Sequence, residues 1–317
     1  MTVPHLRELL ADAPSNWGRW GDQDELGALN LVDASCVLAA VATVSTGRVV
    51  TLQVPIGRVG GDVSWPGRQQ AQHRMTLDRS DYAAGKASAA PGGLEAADDT
   101  LMLALQGTTH TDALGHVWYD EQLWNAYPAA STEGGLDRAS ALPLAERGVV
   151  GRGVLLDLAA ARGVSSLQTG DTVHLPELLS CAQQQGVTVG RGDVLVLRTG
   201  WLADCLERED VDVSGRLPEP GLTYSPELVQ WFHETAVAHL VTDTLANEAT
   251  IEPTSGVALP LHAALMRNLG VGMTEVAWLE QLAQTCAELR RWEFLYVAAA
   301  LKIARSTGSP VNPVAIF

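Results

Sequence analysis

Apolar residues recur along the chain at helical spacing in some stretches and in short continuous runs in others, and the alternation of the two predicts the architecture. Pro4 to Ala13 has the spacing of a short amphipathic helix, and Asp33 or Ser35 is placed to cap a second helix through Val37 to Val44. The β-branched segment Arg48 to Val54 predicts a strand. Leu101 to Ala104, Gly153 to Leu158, Asp193 to Arg198, Ala238 to Thr242 and Phe294 to Ile303 are apolar runs bounded by turn signals, as buried strands would be. Leu175 to Gln184, Pro226 to Thr235 and His262 to Leu269 predict helices among them. Residues 56–100 are rich in Gly, Ser, Ala and Asp with little periodicity, which predicts mostly loop, of the kind used for lids or oligomer contacts.

No internal repeat and no clean linker interrupt this mixture. It predicts one α/β domain over residues 1–317, with a substantial mixed sheet packed by helices on one side and an N-terminal helical and loop extension to about residue 45. With 317 residues, 46% of them hydrophobic, the chain can bury a large core. A formal net charge of -16 and a pI near 4.8 argue against nucleic acid or an anionic membrane as partner, since such partners select a clustered basic face. Cys36, Cys181, Cys205 and Cys286 lie far apart with no C-x-x-C pair, so they read as reduced, packed thiols. The segment from Met1 to Glu8 lacks a basic region leading into an apolar run, and no stretch reaches the length of a membrane span. A cytoplasmic enzyme is the default expectation.

Candidate chemistry concentrates in Gln106-Gly107-Thr108-Thr109-His110-Thr111-Asp112-Ala113-Leu114-Gly115-His116. If this segment continues a strand from Leu101, residues 106, 108, 110 and 112 project from one face, and His110 and Asp112 can converge on one ion. Gly115 lets the chain turn and bring His116 back as a supporting or catalytic group. Imidazole with carboxylate suits zinc, manganese or iron(II), any of which lowers the pKa of a bound water toward neutrality. On its own, an H-x-D pair also fits a surface histidine beside a turn-forming aspartate. There is no phosphate-binding G-x-x-x-x-G-K-[ST] loop and no G-x-S-x-G nucleophile elbow.

The eleven residues resemble the motif H-x-G-T-H-x-D-x-x-x-H of the cyclase and metal-dependent amidohydrolase family, which includes kynurenine formamidases, isatin hydrolases and cyclases of aromatic polyketide pathways. Further similar segments run along the chain: Asn16 to Gly21 with Asp24 to Asn30, Gly153 to Asp157, Gly192 to Trp201, and Thr307 to Pro313. The resemblance implies a swivelling β/β/α-type fold, a mixed sheet or barrel-like core with outer helices, assembled as a homodimer or homotetramer. It implies that His110 and Asp112 are metal ligands and His116 the catalytic histidine, with manganese or zinc as the cofactor. Gln106 departs from the pattern, standing where many members have the first metal-binding histidine. Its carbonyl oxygen can ligate a hard ion more weakly than imidazole, or it can contact the substrate.

His262 and Glu275 sit where two-metal members place ligands for a second ion; without the resemblance they read as a capping histidine and a solvated acid. Asp243 and Glu248, which follow the run Ala238 to Val241, read as pocket-lining carboxylates or as caps. Trp118 and Trp124 are candidates for an aromatic wall, or simply for the core. The implied activity is hydrolysis of a carbon–nitrogen bond in an aryl amide, formamide or lactam through a metal-activated water, on a small aromatic or carbonyl substrate. Two alternatives are a metal-assisted cyclase closing a ring by intramolecular aldol chemistry in a secondary-metabolite pathway, and a metal-free binding or assembly protein on the same fold.

Overall fold

Strands whose two faces are both covered need apolar residues at every position, and the central runs of this chain meet that demand. In the computed structural model, which describes residues 3–208 and 213–317, they form a mixed sheet of nine strands. Met1 and Thr2 of the leading segment lie outside the described residues. With the four strands of two smaller sheets included, the strands of the described residues in chain order are β1 (Val49–Thr51), β2 (Gln72–Leu77), β3 (Asp98–Met102), β4 (His110–Asp112), β5 (Val149–Asp157), β6 (Thr172–Val173) and β7 (Val194–Arg198). They continue with β8 (Gly221–Leu222), β9 (His239–Thr242), β10 (Gly272–Glu275), β11 (Glu293–Ala298), β12 (Gly308–Pro310) and β13 (Val314–Ile316).

The large sheet has the order β1-β13-β11-β5-β7-β9-β10-β4-β12 and curls into a half-barrel surrounded by helices, the α/β architecture the sequence led us to expect. Its centre, β5 through β10, is parallel, and both flanks are antiparallel. Alternation along each strand feeds two apolar layers. Val154, Leu156, Leu195, Leu197 and Leu240 enter one layer, whereas Leu155, Val194, Val196 and Val241 enter the other.

The expectation that helices pack on one side is corrected by this alternation. Helices Leu175–Gln185 and Pro226–Thr235 cover the first layer, while Ala34–Val41 and Glu280–Leu289 supply residues to the second. Their local signals are ordinary ones. Asp33, rather than Ser35, caps its helix by accepting from the backbone N–H groups of Ser35 and Cys36. Ser225 accepts from Leu228 N–H ahead of Pro226 at the first turn. The predicted helix Pro4 to Ala13 is one turn, Leu6–Leu9.

Residues 56–100 are less irregular than expected, because β2 and β3 pair there as an antiparallel arm outside the main sheet. Almost every residue of the arm is exposed, including Met75, Leu101 and Met102. The run at Leu101 therefore does not continue into the site segment. It ends the arm, the chain turns irregularly through residues 103–109, and β4 begins only at His110. Among the described residues no helix is long and apolar enough to cross a membrane.

Candidate metal centre

β4 lies between β10 and β12, and its register places His110 directly opposite Glu275 and Asp112 opposite Gly308. Direct partners on adjacent antiparallel strands share a face, so the imidazole and the Glu275 carboxylate meet. His110 Nε2 is 3.2 Å from Glu275 Oε2 and 3.5 Å from Asp112 Oδ1. The donor atoms of these three residues all lie within 4.8 Å of one another, and all three side chains are buried.

His110 Nδ1 lies 2.7 Å from the carbonyl oxygen of Thr108. A carbonyl only accepts, so Nδ1 carries the hydrogen and Nε2 is the nitrogen turned toward the carboxylates. Nε2 and Asp112 Oδ1 are both buried without a hydrogen-bond partner. The 3.2 Å approach to Glu275 is close but not aligned as a hydrogen bond. Burial disfavours the imidazolium, yet the charges of Asp112 and Glu275 outweigh it and hold the His110 pKa above its ordinary value. A divalent cation answers the same imbalance, and two carboxylates with one imidazole are a donor set suited to manganese or zinc.

The C-terminal half completes the cluster. His262 opens a π-helix, His262–Asn268, and its Nε2 is 3.1 Å from Glu275 Oε1. Glu248 accepts from the backbone N–H of Leu261 (2.8 Å) and of His262 (2.7 Å), and pairs with His262 Nδ1 at 2.8 Å. The carboxylate thus fixes the ring through its far nitrogen, the usual second partner of a ligating histidine. Burial lowers the His262 pKa, but its bonds to Glu248 and Glu275 more than reverse this and carry it well above the ordinary value. Burial alone would raise Glu275; the two histidines overcome it and hold this carboxyl well below the usual range. His262 is no cap, since Leu261 holds the cap position of its helix, and Glu275 is no solvated acid; both are buried.

Other expected residues fall into different surroundings. Gln106 is buried, and its Nε2 donates to Thr307 Oγ1 at 3.0 Å. His116 is half-buried, its backbone N–H donates to Ala113 O, and its ring makes no hydrogen bond among the described residues. Gly115 is called for by close approach rather than by a left-handed turn: a Cβ there would lie 3.1 Å from Ala139 O and from Leu136 Cδ2. Trp118 is 46% exposed.

Trp124 is fully buried, with its indole N–H donating to Asp24 O and its ring against Gly270. It is a core residue that seats the N-terminal segment, not an open pocket wall. Asp243 accepts from Thr199 N–H, Thr199 Oγ1 and Gly200 N–H, so it braces the turn after β7 rather than lining a cavity.

Two residues of the cluster carry no local signal. Asn247 Nδ2 donates to Glu275 Oε1 at 3.1 Å. Glu219, between two prolines, is fully buried, and its Oε1 has no partner. Burial pushes the Glu219 pKa well up, and the neighbouring Glu275 and Glu248 carboxylates add to that. Only the fold brings it beside residues so distant in sequence.

Comparison with known proteins identifies the family. The cyclase family matches residues 32–249, more than half of the chain. The chain belongs to the cyclase family. A solved structure described as a novel cyclase is 35% identical, covers 96% of this chain and 100% of its own, and superposes with a TM-score of 0.85. This cyclase-family chain also shares its fold with an isatin hydrolase bound to the product analogue thioisatinate, at 17% identity, 89% and 98% coverage and a TM-score of 0.61. Isatin hydrolase A from Ralstonia solanacearum is similar at 19% identity, 84% and 91% coverage and a TM-score of 0.61. No curated protein matches the chain. His262 and Glu275 lie beyond the family-matched residues, although the novel cyclase covers nearly the whole chain.

Proposed function

We propose that this cyclase-family chain is a metal-dependent hydrolase that cleaves the carbon–nitrogen bond of an aryl amide, formamide or lactam. The observation that carries the reading is the pair of unpartnered buried atoms, His110 Nε2 and Asp112 Oδ1, set beside Glu275. Leaving such atoms unpaired costs on the order of 1–3 kcal/mol each, a cost that a resident cation removes. His110, Asp112 and Glu275 hold the ion, manganese or zinc. His262 supports Glu275 from its other oxygen, and Glu248 orients His262.

When bound, the ion supplies Lewis acidity toward a carbonyl and a nucleophilic water at neutral pH. His116, half-buried just past Asp112, moves the proton from the nucleophile to the departing nitrogen. The exposed ring of Trp118 offers an aromatic substrate a stacking face. The similarity of fold to isatin hydrolases supports an aromatic amide as the substrate class. The exposed arm of β2 and β3, with Met75, Leu101 and Met102 open to solvent, supports assembly with a second copy, because an isolated two-stranded ribbon is marginally stable in water.

Protein purified without chelators and loaded with manganese is expected to hydrolyse members of a panel of N-formyl aryl amines and aryl lactams, with turnover abolished in His116→Ala. Metal content under about a tenth of an equivalent, unchanged by added manganese or zinc, overturns the reading. Loaded protein that turns over none of the panel overturns hydrolysis and leaves ring closure on the same residues.

A further inference from the structure

Gln106 stands where the resemblance calls for a metal-binding histidine, yet its amide is engaged elsewhere. Nε2 donates to Thr307 Oγ1 at 3.0 Å, and the main chain is pinned by Arg68 Nη1 donating to Gln106 O at 2.8 Å. Gly308 provides the space for this side chain: a Cβ there would lie 2.7 Å from Gln106 Nε2, 3.2 Å from its Cδ and 3.2 Å from Asp112 Oδ1. The amide therefore lies over bare backbone, next to the unpartnered oxygen of Asp112. Gln106 is only 8% exposed, but its carbonyl Oε1 and the second hydrogen of Nε2 have no partner among the described residues.

A primary amide carries an acceptor and a donor side by side. The edge of a lactam, or of any amide held cis, carries a donor and an acceptor in the complementary order, and two such edges pair through two hydrogen bonds, as glutamine does with adenine. An ester or lactone of the same shape replaces the N–H by an oxygen, which faces Oε1 acceptor to acceptor. An N-methyl amide loses the donor and fills the space. A site built to satisfy an N–H rejects the analogue lacking it, because its own acceptor, covered once the ligand is seated, is left unpaired.

We propose, building on the hydrolase reading above, that Gln106 is a specificity-determining residue that pairs with the N–H and C=O edge of a cis-amide or lactam, and is not a metal ligand. Thr307 is its positioning residue, holding the amide so that the paired edge faces the substrate.

The test uses the full chain carrying His116→Ala, which the hydrolase reading leaves without turnover, loaded with manganese, and three probes: a benzo-fused γ-lactam, its N-methyl derivative and the matching lactone. The Gln106 and Thr307 variants are made in that background. Equilibrium binding by calorimetry is expected to favour the lactam on the order of 10- to 100-fold over both analogues, the size set by one unpaired buried group. Gln106→Met, of similar shape without the amide, is expected to erase that preference while manganese affinity stays within about threefold of the protein with Gln106 in place; the reference for lost metal is Glu275→Gln. Thr307→Val is expected to weaken the preference and Thr307→Ser to restore it, a pattern that loss of packing alone would not give.

A manganese affinity at least tenfold weaker in folded Gln106→Met makes Gln106 a ligand and overturns the proposal. Equal binding of the three probes with Gln106 in place, binding of none, or a preference that survives in Gln106→Met overturns it as well. These outcomes are separate from the hydrolase reading, since probe binding is read in a protein that does not consume the probes.

Discussion

His110 and Glu275 are direct register partners across β4 and β10, and Glu275 divides its two oxygens between His110 and the π-helix, with Oε2 3.2 Å from His110 Nε2 and Oε1 3.1 Å from His262 Nε2. One carboxylate thus ties both histidines together. Glu275→Gln removes the charge and keeps the shape. It is expected to lower manganese or zinc affinity by about 10- to 100-fold or more, read by calorimetric titration. Unchanged affinity would place the ion elsewhere.

Glu248 accepts from two backbone N–H groups at the start of the π-helix and pairs with His262 Nδ1. In Glu248→Gln one of those contacts becomes donor against donor. Urea unfolding is expected to show a loss of about 1–3 kcal/mol, and metal affinity a fall of about tenfold. A stability loss with metal affinity untouched would mean that His262 plays no part in holding the ion.

Burial holds His239 neutral down to about pH 3, whereas the unfolded imidazole protonates near its ordinary value of 6.5. Between those values the unfolded state binds more protons, so stability falls as the pH drops through the window. At pH 5 the contribution is about 2 kcal/mol, by the relation of one pKa unit to 1.36 kcal/mol. Asp243, raised to about 6 by burial, works in the opposite sense as pH falls toward 4. The comparison with His239→Gln isolates the histidine: the difference in unfolding free energy between the two proteins is expected to change between pH 7 and pH 5, and a constant difference would count against it.

Gly270 has φ +70°, and a Cβ there would lie 2.7 Å from the Cα of Gly27 and 2.7 Å from Cη2 of Trp124. Gly270→Ala combines left-handed backbone strain with overpacking, for a loss of about 2–4 kcal/mol in denaturant unfolding. A loss below half a kilocalorie would show that the N-terminal segment yields to the intrusion.

The arm exposes Met75, Leu101 and Met102, with Leu101 at 45% and Met102 at 53%. Replacing all three by serine is expected to leave the melting temperature of the chain within a few degrees and to shift its sedimentation toward the monomer. A wild type that already sediments as a monomer would remove the assembly proposal.

What could be seen in advance follows the range of each interaction. The helix Pro226–Thr235 was legible because Ser225 and Pro226 declare its start locally. The H-x-D spacing correctly gave a strand face, since alternation needs only neighbouring residues. The imagined strand from Leu101 failed because the same apolar run serves an exposed arm, and periodicity does not report which sheet a strand joins. Glu275 gains its position from the register of β10 on β4, and Glu219 from the irregular stretch between two prolines; neither placement leaves a trace in the residues around it. An aromatic side chain suits a pocket wall and the core alike, so Trp124 is ambiguous in sequence, and its packing against Gly270 decides for the core.

The placement of β4 between β10 and β12 has a consequence for how the chain comes into being. When synthesis has passed Asp112, only His110 and Asp112 of the proposed ligand set have been made, and the strands on either side of β4 belong to the last fifth of the sequence. A nascent or truncated chain therefore has no complete cage to close on an ion. On the proposed ligand set, ion uptake would be a late event that reports on a finished sheet, and a captured ion would seal a strand made early to strands made late.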